Sequence, residues 1–251
     1  MSSNPRFDAV FLDAGGVLVS PLPRRVVAAL ASVGIQADAD DLLAAHYRGM
    51  HAVDRARSDP EHFGDYYQGY LGHLGLHPDD DADLVQAAGE VLDAEWTAGG
   101  LWVEPVPGAA EGLAVLADAG LPIVVVSNAD GTVQRLLETS GLIQVGPGPA
   151  VEVLAVIDSG AVGVAKPDPR IFELALDVVG LTPDRVVHIG DAYHYDVGGA
   201  RAAGIEPVLI DPFDLRPALD CLRLASLGAG DSVALVTYAG ATQVVLPSTS
   251  V

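Results

Sequence analysis

The feature that most constrains the chain is a set of short apolar runs: Phe7 to Leu12, broken by Asp8, then Ile123 to Val126, Val151 to Ile157, Val186 to Ile189 and Pro207 to Ile210. Such runs are too apolar to leave one strand face wet. From residue 109 onward they alternate with stretches of helical spacing, Ala109 to Ala119, Thr132 to Ser140, Pro169 to Val179 and Val197 to Ala203. Strands buried on both faces and separated by helices predict an α/β fold with a parallel sheet covered on both sides. Between Arg24 and about Ala98 the pattern changes to alanine- and leucine-rich stretches, broken at Gly34, near Pro60 and at Pro78. Three or four helices are expected there. The helical block thus interrupts the α/β domain just after its first strand. Boundaries follow: residues 1–19 and 105–215 form the core, 20–104 the insertion, and 216–251 a C-terminal extension. In open parallel sheets ligands sit beyond the carboxyl ends of the strands, so an insertion leaving from one of those ends acts as a lid.

Composition narrows the partners. The chain has 251 residues, half of them apolar, which excludes disorder, and its 13 basic and 34 acidic residues give a net charge of −21. Such a chain repels polyanions, so neither nucleic acid nor an anionic membrane is an expected partner. Cys221, the single cysteine, permits no intramolecular disulfide, which fits a reducing compartment. Asn4, Arg6 and Asp8 interrupt any signal-like apolar region. No apolar run approaches the roughly 20 residues of a membrane helix. The expectation is a soluble, cytoplasmic protein, monomer or homodimer. The segments Val233 to Tyr238 and Thr242 to Leu246 predict an extra hairpin or a loose tail, to which no function attaches.

Polar groups recur where strands end: Asp13, Ser127-Asn128, Lys166 and Asp191. Each alone has a plain reading, a turn residue for Asp13 or a helix cap for Ser127-Asn128. Separated by 114, 39 and 25 residues, they can meet only through the fold. Lys166 is the only lysine in the chain. A compact ammonium suits close contact with a carboxylate and a phosphoryl group together, where a planar guanidinium fits badly. Asp191 and Asp196 stand a short turn apart, and with Asp13 they make a hard oxygen set suited to Mg²⁺. Asp196 reads almost as well as a charge at the start of the following helix.

At these residues the chain resembles the haloacid dehalogenase-like hydrolase superfamily, in its phosphatase-type form with a helical cap inserted after the first strand. The resemblance covers roughly Phe7 to Pro212. Asp13-Ala14-Gly15-Gly16-Val17-Leu18 is similar to the first motif, Ser127-Asn128 to the second, Lys166-Pro167-Asp168-Pro169 to the third, and Gly190-Asp191 through Asp196 to the fourth. The resemblance implies a Rossmann-like core and hydrolysis of a small phosphorylated metabolite through an aspartyl phosphate. By it Asp13 attacks phosphorus, Ser127 hydrogen-bonds the phosphoryl oxygens, Lys166 balances charge, and Asp191 holds Mg²⁺. The expected metal set is Asp13, the Gly15 carbonyl, Asp191 and Asp196; the expected substrate contacts are Ser127, Asn128, Lys166 and Arg24.

One position departs from the pattern. Where phosphatase members carry a second aspartate, two residues after the nucleophile, this chain has Gly15. It therefore lacks a general acid–base side chain worth about 10²–10⁴ in rate. Either the leaving group is a good one, or an acid comes from elsewhere, with His46, His51 and Asp54 in the cap and His194 and Tyr195 in the fourth motif as candidates. A metal-independent haloacid dehalogenase and a catalytically weakened phospholigand-binding module are the alternatives. The dehalogenase reading sits badly with the fourth motif, and a phosphonate-cleaving branch would need a cap lysine that is not there. Arg24 or Arg25 is placed to meet a second anionic group, or simply begins a helix in solvent. Phe63, Tyr66, Tyr67 and Tyr70, at spacings of three and four, favour packing between cap helices.

Overall fold

A computed structural model describes residues 7–56 and 64–213. The proposed tail hairpin lies outside the described residues. Strand β1 (Ala9–Leu12) leads into β2 (Val19–Pro21), and four helices follow: α1 (Pro23–Ser32), α2 (Leu42–Ala56), α3 (Gly64–His73) and α4 (Pro78–Thr97). The chain returns through β3 (Trp102–Pro105), which pairs antiparallel with β2. This ribbon went unseen in the sequence because it falls in a Gly- and Pro-rich stretch with no periodicity to read. Helices α1 and α4 begin at Pro23 and Pro78, where a missing N–H costs nothing and the fixed φ is already helical.

Beyond the ribbon run α5 (Ala109–Asp118), β4 (Ile123–Ser127), α6 (Val133–Thr139), β5 (Ile143–Val145), β6 (Val151–Val153), β7 (Ala155–Asp158), α7 (Ser159–Val162), α8 (Arg170–Val179), β8 (Val186–Gly190), α9 (Gly199–Ala202) and β9 (Glu206–Leu209). The main sheet has the order β7-β4-β1-β8-β9, parallel throughout. The single strand expected over Val151 to Ile157 is two. Its first half pairs with β5 in a separate two-stranded sheet, and its second half forms the edge of the main sheet. The apolar run hid a break at Leu154, which is exposed. The helix expected from Val197 begins earlier, as a π-helical turn over Tyr193–Gly198 that leads into α9.

Alternation along the strands feeds two cores. Val10, Leu12, Ile123, Val125, Val187 and Ile189 pack with Leu113, Leu116 and Leu137 on one face of the sheet. Ala9, Phe11, Val124, Val126 and Val186 pack with Ile171, Phe172 and Ala175 on the other. All residues of β1, β4 and β8 are buried, as a period of two requires when both faces are covered. A third cluster, including Val26, Leu30, Ala45, Tyr66, Tyr70, Leu71 and Leu92, holds the inserted helices together. Among the described residues no helix is long and apolar enough to cross a membrane.

Candidate active site

Asp13 follows β1, Ser127 ends β4, and Asp191 follows β8, so three neighbouring strands deliver them to one end of the sheet. Lys166 arrives on the loop before α8. Its Nζ donates to Asp13 Oδ1 at 2.9 Å and to Asp196 Oδ1 at 2.7 Å, and only 1% of the residue is exposed. Burial pulls the Lys166 ammonium down, but the Asp13 and Asp196 carboxylates outweigh it and raise its pKa. Burial pushes Asp13 up to about 7; Lys166 opposes this, while Asp196 and Asp191 add to it.

Asp196 is engaged at both oxygens. Oδ1 accepts from Lys166 and meets His188 Nε2 at 2.9 Å, and Oδ2 accepts from the Ala192 N–H at 2.9 Å. Burial opposes its ionisation, yet Lys166 and His188 hold its carboxyl well below the usual range. Burial lowers the His188 pKa and favours the neutral ring. Oxygens of Asp13, Asp191 and Asp196 lie within 4.8 Å of one another. Asp13 and Asp191 line the cavity above them, and Asp196 sits behind Lys166 as its support.

Asn128 also lines the cavity, but its amide is largely spent on backbone. Oδ1 accepts from Lys166 N–H at 2.7 Å and Nδ2 donates to Lys166 C=O at 2.9 Å. It therefore positions the lysine loop, a role its expected substrate contact did not include. Asp158, at the end of β7, braces the loop that follows Ser127 by accepting from Gly131, Val133 and Gly160 N–H groups. Arg24 does not join the site: it is exposed on α1 and is not part of the cavity wall. Its neighbour Arg25 binds Glu95 and the Gly99 carbonyl, which ties α1 to the end of α4.

The cavity measures about 490 Å³ and has a charged floor beneath a mostly apolar cap wall. From α2, His46 reaches the floor, its Nε2 3.0 Å from Asp191 Oδ2 and its Nδ1 3.0 Å from Tyr66 Oη. Asp54, two turns further on, accepts from the Tyr193 and His194 backbone N–H groups at 3.0 and 2.9 Å. These contacts dock α2 against the fourth motif. Gly16 makes the approach possible. Its φ is +67°, and a Cβ there would lie 2.3 Å from Asp191 Oδ2 and 2.6 Å from His46 Nε2. At Gly15 a Cβ would lie 3.2 Å from the Trp102 ring, so the indole occupies the space beside that position.

Of the aromatic stretch in the cap, Tyr66 lines the cavity, Tyr67 donates to Asp93 and Tyr70 is buried in the cap core. Tyr195 lines the cavity, whereas His194 is not part of its wall. Trp96, Trp102, Gly16, Asn128 as a brace and Asp158 were not legible as site residues. Nothing in local sequence marks a contact made across the fold.

Residues 7–204 match the family model described as haloacid dehalogenase-like hydrolase. The chain is 36% identical over 140 residues to haloacid dehalogenase-like hydrolase domain-containing protein 3 of Bos taurus, covering 55% of this chain and 53% of that protein. It is 45% identical over 73 residues to phosphoserine phosphatase of Thermus thermophilus, covering 29% of each. The chain spans about half, or less, of the length of these curated relatives. Among solved structures it superposes on a HAD-hydrolase of Bacillus subtilis bound to magnesium with a TM-score of 0.55 at 18% identity, covering 86% of this chain and 91% of that one.

Proposed function

The chain belongs to the haloacid dehalogenase-like hydrolases, and from that premise we propose that it hydrolyses a small phosphomonoester, with Asp13 as nucleophile and Mg²⁺ as cofactor. The carrying observation is the Asp13 carboxylate, held 2.9 Å from the only lysine on the floor of a cavity shared with Ser127 and Asp191. Phosphoryl transfer asks mainly for in-line positioning and for neutralised charge on the equatorial oxygens. An Asp13 oxygen attacks phosphorus as the ester oxygen departs, and water then splits the aspartyl phosphate, turning one hard displacement into two easier ones. Lys166 neutralises Asp13 and the phosphoryl group, and Ser127 donates its hydroxyl to a phosphoryl oxygen.

The donor set fits a divalent cation. Three carboxyl groups crowd one ammonium, and burial, with that crowding added to it, raises the Asp13 pKa. A hard dication matches that surplus. Asp13, Asp191 and the Gly15 carbonyl would hold it, with Asp196 within reach but already bonded. When bound, the ion supplies charge neutralisation at the phosphoryl oxygens. The metal-independent dehalogenase alternative leaves the surplus unbalanced.

The test is phosphate release from a panel of phosphomonoesters, with and without Mg²⁺, and with Asp13→Asn as the blank. Metal-dependent release absent from the blank is expected. Silence across the panel from folded, Mg²⁺-binding protein would sink the proposal.

A further inference from the structure

Resting on that reading, we infer that the site takes phosphate esters of uncharged aromatic alcohols, with a phenolate as the leaving group. Two independent observations lead there. The first is the cap wall, built of Met50, Val53, Trp96, Leu101 and Trp102. Among the described residues it offers no cation to a second phosphate or a carboxylate. Among the described residues, the only basic side chain on the cavity that is always charged, Lys166, is already bonded to two carboxylates, and Arg25 is fastened to Glu95 and Gly99. His46 has both ring nitrogens engaged, by Asp191 and Tyr66. A second anion would lose its hydration there without gaining a partner. An aromatic ring would instead meet two indoles, whose faces and edges favour stacked or edge-on contact.

The second observation is the floor. Gly15 brings no side chain, and the Trp102 ring crowds that position, 3.2 Å from where a Cβ would lie. No acid from that position protonates the departing oxygen, and His46, the cap candidate that reaches the floor, has both ring nitrogens engaged, so the site favours a leaving group that is stable as an anion. A phenol, with a pKa of about 10 like that of tyrosine, meets this condition far better than an alcohol with an acidity near that of water, at about 15.7. The balance closes without another reactant. An Asp13 oxygen bonds to phosphorus, and the P–O bond to the ring breaks with its electron pair on the phenolate, which takes a proton from solvent. Water then adds to phosphorus, frees the Asp13 carboxylate and loses its proton, leaving a phenol and inorganic phosphate.

The experiment measures kcat/KM for phenyl phosphates whose ring substituents vary leaving-group acidity, beside phosphoserine and a sugar bisphosphate. Phenyl phosphate is expected to exceed both anionic esters by about 10²-fold or more, and kcat is expected to fall steeply as the leaving group becomes more basic. The chain's two tryptophans both line the cavity, so their emission should respond to benzylphosphonate and not to phosphonoacetate. Trp96→Leu should raise KM for phenyl phosphate about tenfold. Equal or better use of phosphoserine or the bisphosphate, or a rate indifferent to leaving-group acidity, would overturn the aryl assignment while leaving the phosphatase standing. Release from no ester at all would overturn both.

Discussion

The floor and the cap wall of the cavity are built on opposite principles. On the floor the polar groups are held in place: Lys166 by two carboxylates, Asp196 by three donors, Asn128 by the lysine backbone. The cap wall is apolar and aromatic, and His46, Asp54 and Tyr66 link α2 and α3 to the floor or to one another. Fixed charges suit a step in which charge develops at a known place, since they need no reorganisation at that moment. Apolar walls suit the choice of what is admitted. The contrast separates chemistry from selection.

The largest test of that division is Asp13→Asn, expected to cut phosphate release by about 10⁴-fold or more while leaving tryptophan emission responsive to an aryl phosphonate. If ligand response vanished as well, floor and wall would not be separable. Next comes Lys166→Met, which strands Asp196 and Asp13 without their shared cation. Breaking a buried ion pair from one side costs about 3–5 kcal/mol, to be read by urea unfolding. Lys166→Arg should not rescue turnover, because a guanidinium cannot occupy the space of an ammonium between two carboxylates.

A third test turns on Gly15. Gly15→Asp alone pushes against the Trp102 ring and should destabilise the protein by about 1–3 kcal/mol. Combined with Trp102→Ala it has room, and the double variant should hydrolyse alkyl phosphates faster than Trp102→Ala alone, by up to about 10²-fold. The smallest effect is one of pH. With its pKa raised from 3.8 to about 7, Asp13 keeps a proton in the folded state that the unfolded chain has already lost. Its stabilising contribution is thus complete below pH 3.8 and is lost as pH rises through 7. Metal-free Asp13→Asn should lack that decline. Unfolding free energies in chelator across this range, wild type against variant, isolate it; parallel curves would refute it.

Much of this division was legible before any fold was in view. Runs such as Ile123 to Val126 announce buried parallel strands, and polar residues at their ends mark the floor. Asp13, Ser127, Lys166 and Asp191 all line the cavity. The wall was much less legible. Trp102 meets Gly15 from 87 positions away, on a ribbon too short for a pattern, and His46 meets Asp191 across 145. Arg24 misled because charge and proximity to the first motif say nothing of the direction in which a helix turns its side chain. Asp196 shows the reverse difficulty: a metal-like spacing also serves a carboxylate that supports a lysine.

One feature of the floor reaches beyond catalysis. The chain's sole lysine is 1% exposed, so the folded surface displays no side-chain amine. Acetyl groups and ubiquitin-like tags that enter through lysine find no attachment point until the fold opens. Acylating reagents face the same barrier. Modification of Lys166, followed by mass spectrometry, therefore serves as a clock for the opening of the molecule at its centre.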